Sequence, residues 1–214
     1  MRAEPSHKSE MVNEILFGEQ FTVIEKINDW HKIRLNHDNY EGWVERKDPF
    51  VESNNSHQTA CYRPQIQNDI RLYPGSFTQS TSLKKEKPSL VELEQLALQY
   101  LNVPYLWGGR TLHGIDCSGF TQIIARLADV SIPRDAYQQA EFGEDVSLDQ
   151  LELMDLAFFK NQKGRITHVG FVLNNSRILH ASEKVRIDKL DSKGIYRDRI
   201  STYTHTLSHI KRVF

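Results

Sequence analysis

The sequence predicts an α+β protein in which a small β-barrel precedes a domain of helices followed by an antiparallel sheet. Three observations carry this reading. Residues 9 to 82 hold short β-like segments separated by polar turns. The charged, proline-terminated stretch Lys84-Lys85-Glu86-Lys87-Pro88 then marks a junction between units 1–83 and 84–214. Beyond it, two helical patterns come before a run of strand-like segments.

In chain order, Phe21-Thr22-Val23-Ile24-Glu25 and Trp30-His31-Lys32-Ile33-Arg34-Leu35 carry aromatic and β-branched residues in partial alternation. The turn formers Asn28-Asp29 separate them, and Asn36-His37-Asp38-Asn39 leads into Tyr40-Glu41-Gly42-Trp43-Val44-Glu45. Short strands of this kind fit a small barrel. After the junction, Ser89 with Glu92 forms a capping box for a helix over 90–101, which Asn102-Val103-Pro104 ends. A turn rich in glycine (Gly108, Gly109, Gly114) leads to a second helix, with Phe120, Ile123, Ile124 and Leu127 at i, i+3, i+4, i+7. Pro133 stops its continuation. Segments 156–160, 167–173, 177–182 and 210–214 read as strands.

The bulk composition excludes several classes. With 27 Lys+Arg against 28 Asp+Glu the net charge is −1, which argues against a surface that coats nucleic acid. No apolar run approaches the ~18 residues that span a bilayer, and the N-terminal residues lack the apolar stretch of a signal peptide. The expected location is the cytoplasm, or the periplasm or exterior if a leader has been removed. Cys61 and Cys117 form no CxxC pair, so two free thiols in a reducing compartment are expected, without a disulfide framework. No cofactor is called for, and a monomer is expected.

Chemistry concentrates in Asp116-Cys117-Ser118-Gly119-Phe120. A cysteine where a helix starts meets unpaired N–H groups and a partial positive charge, both of which favour the nucleophilic thiolate. A lone cysteine is usually inert core filler, but Asp116 and Ser118 are capping residues and Gly119 admits close approach. His168 and His180 lie in two strand-like segments that a hairpin through Asn174-Asn175-Ser176 would set side by side. The two imidazoles would then meet, one as base and one as its orienting partner. Cys117, His168 and His180 could also hold a catalytic zinc, but no closely spaced ligand pair exists, so no metal is expected.

Two resemblances follow from these residues. Leu16-Phe17-Gly18-Glu19, Asp29-Trp30 and Tyr40-Glu41-Gly42-Trp43-Val44 resemble the bacterial SH3-like domains appended to cell-wall enzymes. A second series occurs in order: Tyr105-Leu106-Trp107-Gly108-Gly109, the cysteine pentapeptide, Ile132-Pro133-Arg134-Asp135-Ala136, Asp155-Leu156 with Phe158-Phe159, His168-Val169-Gly170 and His180-Ala181. It resembles the NlpC-type, papain-like cell-wall cysteine peptidases over about residues 88–214. Met154 departs from that pattern, which usually has Gly before the Asp-Leu pair. With both halves, the architecture is similar to the γ-D-glutamyl-L-diamino acid endopeptidases that process murein peptides.

The resemblance implies a papain-like catalytic domain behind an SH3-like β-barrel, with Cys117 as nucleophile, His168 as base and then acid, and His180 as orienting group. A preformed thiolate–imidazolium pair would attack the amide and give a thioester, with the Cys117 N–H and Tyr105 stabilising the oxyanion. The implied substrate is a murein peptide, L-Ala-γ-D-Glu-diaminopimelate in type, with a free amino terminus. Asp116 is then the first candidate for holding that ammonium, with Glu10, Tyr40 and Ser118 behind it. Arg134 or Asp135 would contact the D-glutamyl carboxylate or pair with each other. An amidase or acyltransferase using the same thioester is the alternative, and a non-enzymatic wall-binding module is a third reading.

Overall fold

The computed structural model describes residues 1–46, 59–60, 65–67, 70–78 and 87–214. Cys61 and the expected boundary at 83/84 lie outside the described residues. In the N-terminal half, β1 (Phe21–Ile27), β2 (Trp30–Leu35) and β3 (Glu41–Glu45) form an antiparallel meander. Its turns use Asn28 and Asn39 at positive φ, a conformation that asparagine tolerates. Ile33, Leu35 and Trp43 are buried from it. β4 (Thr59–Ala60) pairs with β7 (Phe77–Thr78), and β5 (Gln65–Gln67) with β6 (Ile70–Leu72). Among the described residues this half is therefore a three-stranded sheet with two short strand pairs. The closed barrel lies in the other half.

There, α1 (Leu90–Leu98) starts on the Ser89–Glu92 capping box and ends sooner than the pattern predicts. Its apolar stripe runs on because Tyr100 and Leu101 continue in i→i−3 turns until Asn102 turns to positive φ. The small hairpin of β8 (Arg110–Thr111) and β9 (Gly114–Ile115) leads into α2 (Cys117–Leu127). Next come α3 (Ala136–Gln139), β10 (Glu144–Val146), β11 (Leu156–Lys160), β12 (Ile166–Leu173) and β13 (Arg177–Ser182). β14 (Lys184–Asp191), β15 (Gly194–Arg197) and β16 (Thr202–Arg212) complete the chain.

The sheet runs in the order β10-β16-β11-β12-β13-β14-β15, and β15 also pairs with β16. That last pairing rolls the expected antiparallel sheet into a closed barrel of β11 to β16, a closure that the sequence does not reveal. Strand alternation then builds two cores. Phe159, Val172, Ile178, Leu190, Ile195 and Ile210 pack together from alternate positions of the barrel strands. The other set, with Val169, Phe171, Leu179 and Ala181, packs against Phe120, Ile123 and Leu127 of α2.

Every residue of α2 is buried, its polar side included. The N-terminal half covers that side. Arg126 pairs with Glu19 at 2.6 Å, and Gln122 donates to Asp38 at 2.9 Å. Glu19 also pairs with Arg110 at 2.9 Å and accepts from the Leu16 N–H at 2.8 Å. The Leu16-Phe17-Gly18-Glu19 motif is thus a buried anchor between the halves. Residues Met11 to Asn13 cross directly over Gly108, whose φ of 75° and missing Cβ leave room for their backbone. Among the described residues no helix is long and apolar enough to cross a membrane.

Candidate active site

Cys117 opens α2, with Asp116 as N-cap accepting from the Gly119 N–H at 2.6 Å. The thiol is buried, and the backbone N–H of Val169, the residue after His168, lies near enough to favour its thiolate against the larger effect of burial. Pairing of Gly170 with His180 between β12 and β13 sets the two histidines side by side. A Cβ on Gly170 would stand 2.7 Å from that of His180, so the glycine makes room for the second imidazole. His168 Nε2 lies 2.8 Å from His180 Nδ1. The turn between the strands holds Asn175 and Ser176 at positive φ, which closes the tight hairpin that the sequence predicts.

The second imidazole has a partner that the sequence did not reveal. His180 Nε2 lies 3.0 Å from Asp188 Oδ2, and Arg186 holds both oxygens of that carboxylate at 2.6 and 2.9 Å. His205 of β16 is also unforeseen, with its ring stacked on His168 at a centroid distance of 4.2 Å. Both come from strands, β14 and β16, of which the sequence shows only the end of β16, within 210–214.

Electrostatics change the expected resting state. Burial pushes the Cys117 thiol up to about 12, with the Asp116 carboxylate adding to the effect. Burial likewise drives His168 well below its ordinary value, with His180 and His205 acting in the same direction. The resting pair is thus a neutral thiol and a neutral imidazole. Both shifts oppose a preformed thiolate–imidazolium pair, because the N-cap carboxylate offsets the helix terminus and burial penalises each charge.

Asp116 and Arg134 also take other roles than expected. Arg134 donates to Asp116 Oδ1 and Oδ2 at 3.0 and 2.6 Å, to Ser118 Oγ at 3.0 Å and to Asn13 Oδ1 at 2.9 Å. Asp116 Oδ2 further accepts from the Gly108 N–H at 2.8 Å. The carboxylate first favoured for the substrate ammonium is therefore already paired with a buried guanidinium, and Ser118 is bound into the same cluster. Arg134 is committed to this framework, and it makes no ion pair with Asp135 among the described residues.

Asp135 stands half-buried at the start of α3, with its carboxyl raised by burial against the opposing pull of Arg134. Tyr40 of the N-terminal half lies within electrostatic range of it, and burial followed by Asp135 pushes the phenol up to about 12. Tyr105 is half-buried, with its phenol raised by burial and then by Cys117 and Asp116. Glu10 is exposed and is not among the groups acting on Tyr40 or Cys117. A groove of about 610 Å³ lined by Tyr137, Gln138, Glu141, Arg165 and Ile166 opens on α3 and the start of β12, two residues before His168.

Helices packed on a closed antiparallel barrel, with a helix-start cysteine against two paired strands that each carry one histidine, are the arrangement of a papain-like thiol enzyme. Residues 102–203 match the NlpC/P60 family, and residues 1–48 match the bacterial dipeptidyl-peptidase Sh3 domain. The chain thus carries an NlpC/P60 domain behind an SH3-type domain, and it is a cysteine peptidase.

Among its relatives, a gamma-D-glutamyl-L-lysine dipeptidyl-peptidase of Bacillus cereus is 26% identical, over 88% of this chain and 73% of that one. Dipeptidyl-peptidase 6 of Lysinibacillus sphaericus is 29% identical, over 94% of this chain and 92% of that one. The crystal structure of an NlpC/P60 family protein from Bacillus cereus superposes with a TM-score of 0.71, over 94% of this chain and 82% of that one. At 22% identity that likeness speaks to the fold.

Proposed function

We propose that this enzyme hydrolyses the γ-D-glutamyl–diamino acid bond of murein stem peptides that begin with a free L-Ala, in wall turnover or recycling. The observation that carries the reading is that Tyr40 of the SH3-type half lies within electrostatic range of Asp135, which starts α3 beside the Cys117 helix. A half-buried carboxylate with no cation paired to it among the described residues suits an incoming ammonium, and a neighbouring phenol adds a second contact. An amine anchored at a fixed distance from the sulfur allows only a short peptide to reach the scissile bond. The two dipeptidyl-peptidase relatives, matched across both halves of this chain, support this selection of a terminal dipeptide.

In this reading His168 takes the thiol proton as Cys117 Sγ attacks the γ-carbonyl carbon. The proton passes late, with attack, because both groups rest neutral. The oxyanion is met by the Cys117 N–H at the helix start and by the Tyr105 hydroxyl. Collapse expels the diamino acid amine, which receives the proton from His168 and leaves a thioester at Cys117. The groove beside Ile166 offers room for that leaving side. Water, deprotonated by His168, then releases L-Ala-D-Glu and restores the thiol.

Hydrolysis of the tripeptide by variants tests the assignment. Cys117→Ala should abolish turnover, and Tyr105→Phe should lower kcat by the ~2.7–4 kcal/mol typical of a lost oxyanion donor. Full activity of Cys117→Ala refutes the scheme.

A further inference from the structure

Strand β14 brings an ion pair to the back of the histidine pair. Across the β13–β14 ladder His180 stands opposite Arg186, with Asp188 opposite Ile178, so all three side chains share one face. We propose that Asp188 is a positioning residue that fixes the tautomers of His180 and His168, leaving Nδ1 of His168 as the free base. The inference rests on the reading of Cys117, His168 and His180 as the reacting set, and it extends that set by one member.

The argument is one of donors and acceptors. The Arg186 guanidinium grips Asp188 through Nε to Oδ2 at 2.6 Å and one terminal nitrogen to Oδ1 at 2.9 Å. An ionised carboxylate so held only accepts. His180 Nε2, 3.0 Å from Oδ2, must therefore carry the proton of their hydrogen bond. Burial keeps His180 neutral, which leaves its Nδ1 as a lone pair. His168 Nε2, 2.8 Å from that lone pair, must in turn donate.

In a neutral His168 the remaining nitrogen, Nδ1, is then bare and able to take a proton. Reversing the chain would point a lone pair of His180 at a carboxylate and put the His168 proton where the base is needed. The other charged or titratable groups that face the pair do not compete for this role. His205 is stacked on His168 and sits edge-on to His180, and its own ring nitrogen bonds Thr204. Arg197 is held by Glu183 at 3.0 Å.

The test uses the full chain labelled with ¹⁵N-histidine. In the wild-type protein, ring-nitrogen shifts should show both His180 and His168 protonated on Nε2. In Asp188→Ala the two should become tautomer mixtures, with kcat lowered about 10–100-fold and KM unchanged. A wild-type His168 protonated on Nδ1 overturns the inference, as does an Asp188→Ala enzyme with unaltered tautomers and kcat. Should Asp188→Ala not fold, the wild-type spectrum alone decides. The spectrum does not depend on turnover, so a Cys117→Ala enzyme that stays active would sink the underlying assignment without bearing on the tautomers.

Discussion

At the scale of single residues, burial shifts both Cys117 and His168 toward their neutral forms, so the proposed mechanism begins from an uncharged pair. This fixes the sign of the pH dependence. A histidine whose pKa lies below its ordinary 6.5 stays an available base as the solution is acidified past that value. The acid limb of kcat, which reports groups in the enzyme–substrate complex, should therefore fall below pH 6.5. An acid limb at or above 6.5, or a His168 ring titrating there by NMR, contradicts this account. The groups around that ring are His180, His205, Asp188 and Arg186, and Arg186 neutralises the carboxylate. Cys117, His168 and His180 were visible in the sequence because each stands in a pattern that constrains it, a helix start or a hairpin strand. Asp188 and His205 were not, because their relation to the site exists only through strand register.

At the scale of elements, legibility followed burial on one side. The capping box of α1 and the apolar stripe of α2 could be read directly, as could β11, β12 and β13 with their apolar runs. β14 and β16 are mostly half-buried or exposed, so Lys184-Val185-Arg186-Ile187-Asp188 and Thr204-His205-Thr206 carry little hydrophobic signal. Their pairing is made by backbone hydrogen bonds, and closing the barrel through β15 and β16 requires partners far apart in sequence. The α2 helix is the converse case. Its sequence looks amphipathic, yet the polar face is buried against Glu19 and Asp38 of the other half. Met154 shows how an element tolerates an unfavourable residue. It keeps the left-handed turn at φ 71° that glycine would adopt freely, with its side chain fully buried in the core. Burial of a methionine, worth roughly 1.5–3 kcal/mol, offsets a left-handed penalty of roughly 1–2 kcal/mol.

At the scale of the whole molecule, the two halves are joined by charge as much as by apolar contact. Glu19 lies buried between Arg110 and Arg126; burial would raise its carboxyl, but the two guanidinium groups bring it down to about 2. Since its folded pKa lies below the ordinary 4.5, the stabilisation is complete above that value and is lost as pH falls towards 2. The contribution is on the order of 3 kcal/mol. Urea unfolding between pH 6 and pH 2 should show this loss in the wild type. Glu19→Gln should be destabilised at neutral pH by about 3–5 kcal/mol, since two buried cations lose their partner, and should be less sensitive to acid. Equal stability of the two proteins at neutral pH would remove Glu19 from this role.

The same junction brings Tyr40 within electrostatic range of Asp135, and the proposed selection of free amino termini depends on that joining of the halves. Mass spectrometry of L-Ala-γ-D-Glu-diaminopimelate digests, with the amine free or acetylated, tests that selection most directly. The account predicts release of L-Ala-D-Glu from the free peptide only, with no release by Cys117→Ala. Equal cleavage of free and acetylated peptides would contradict it.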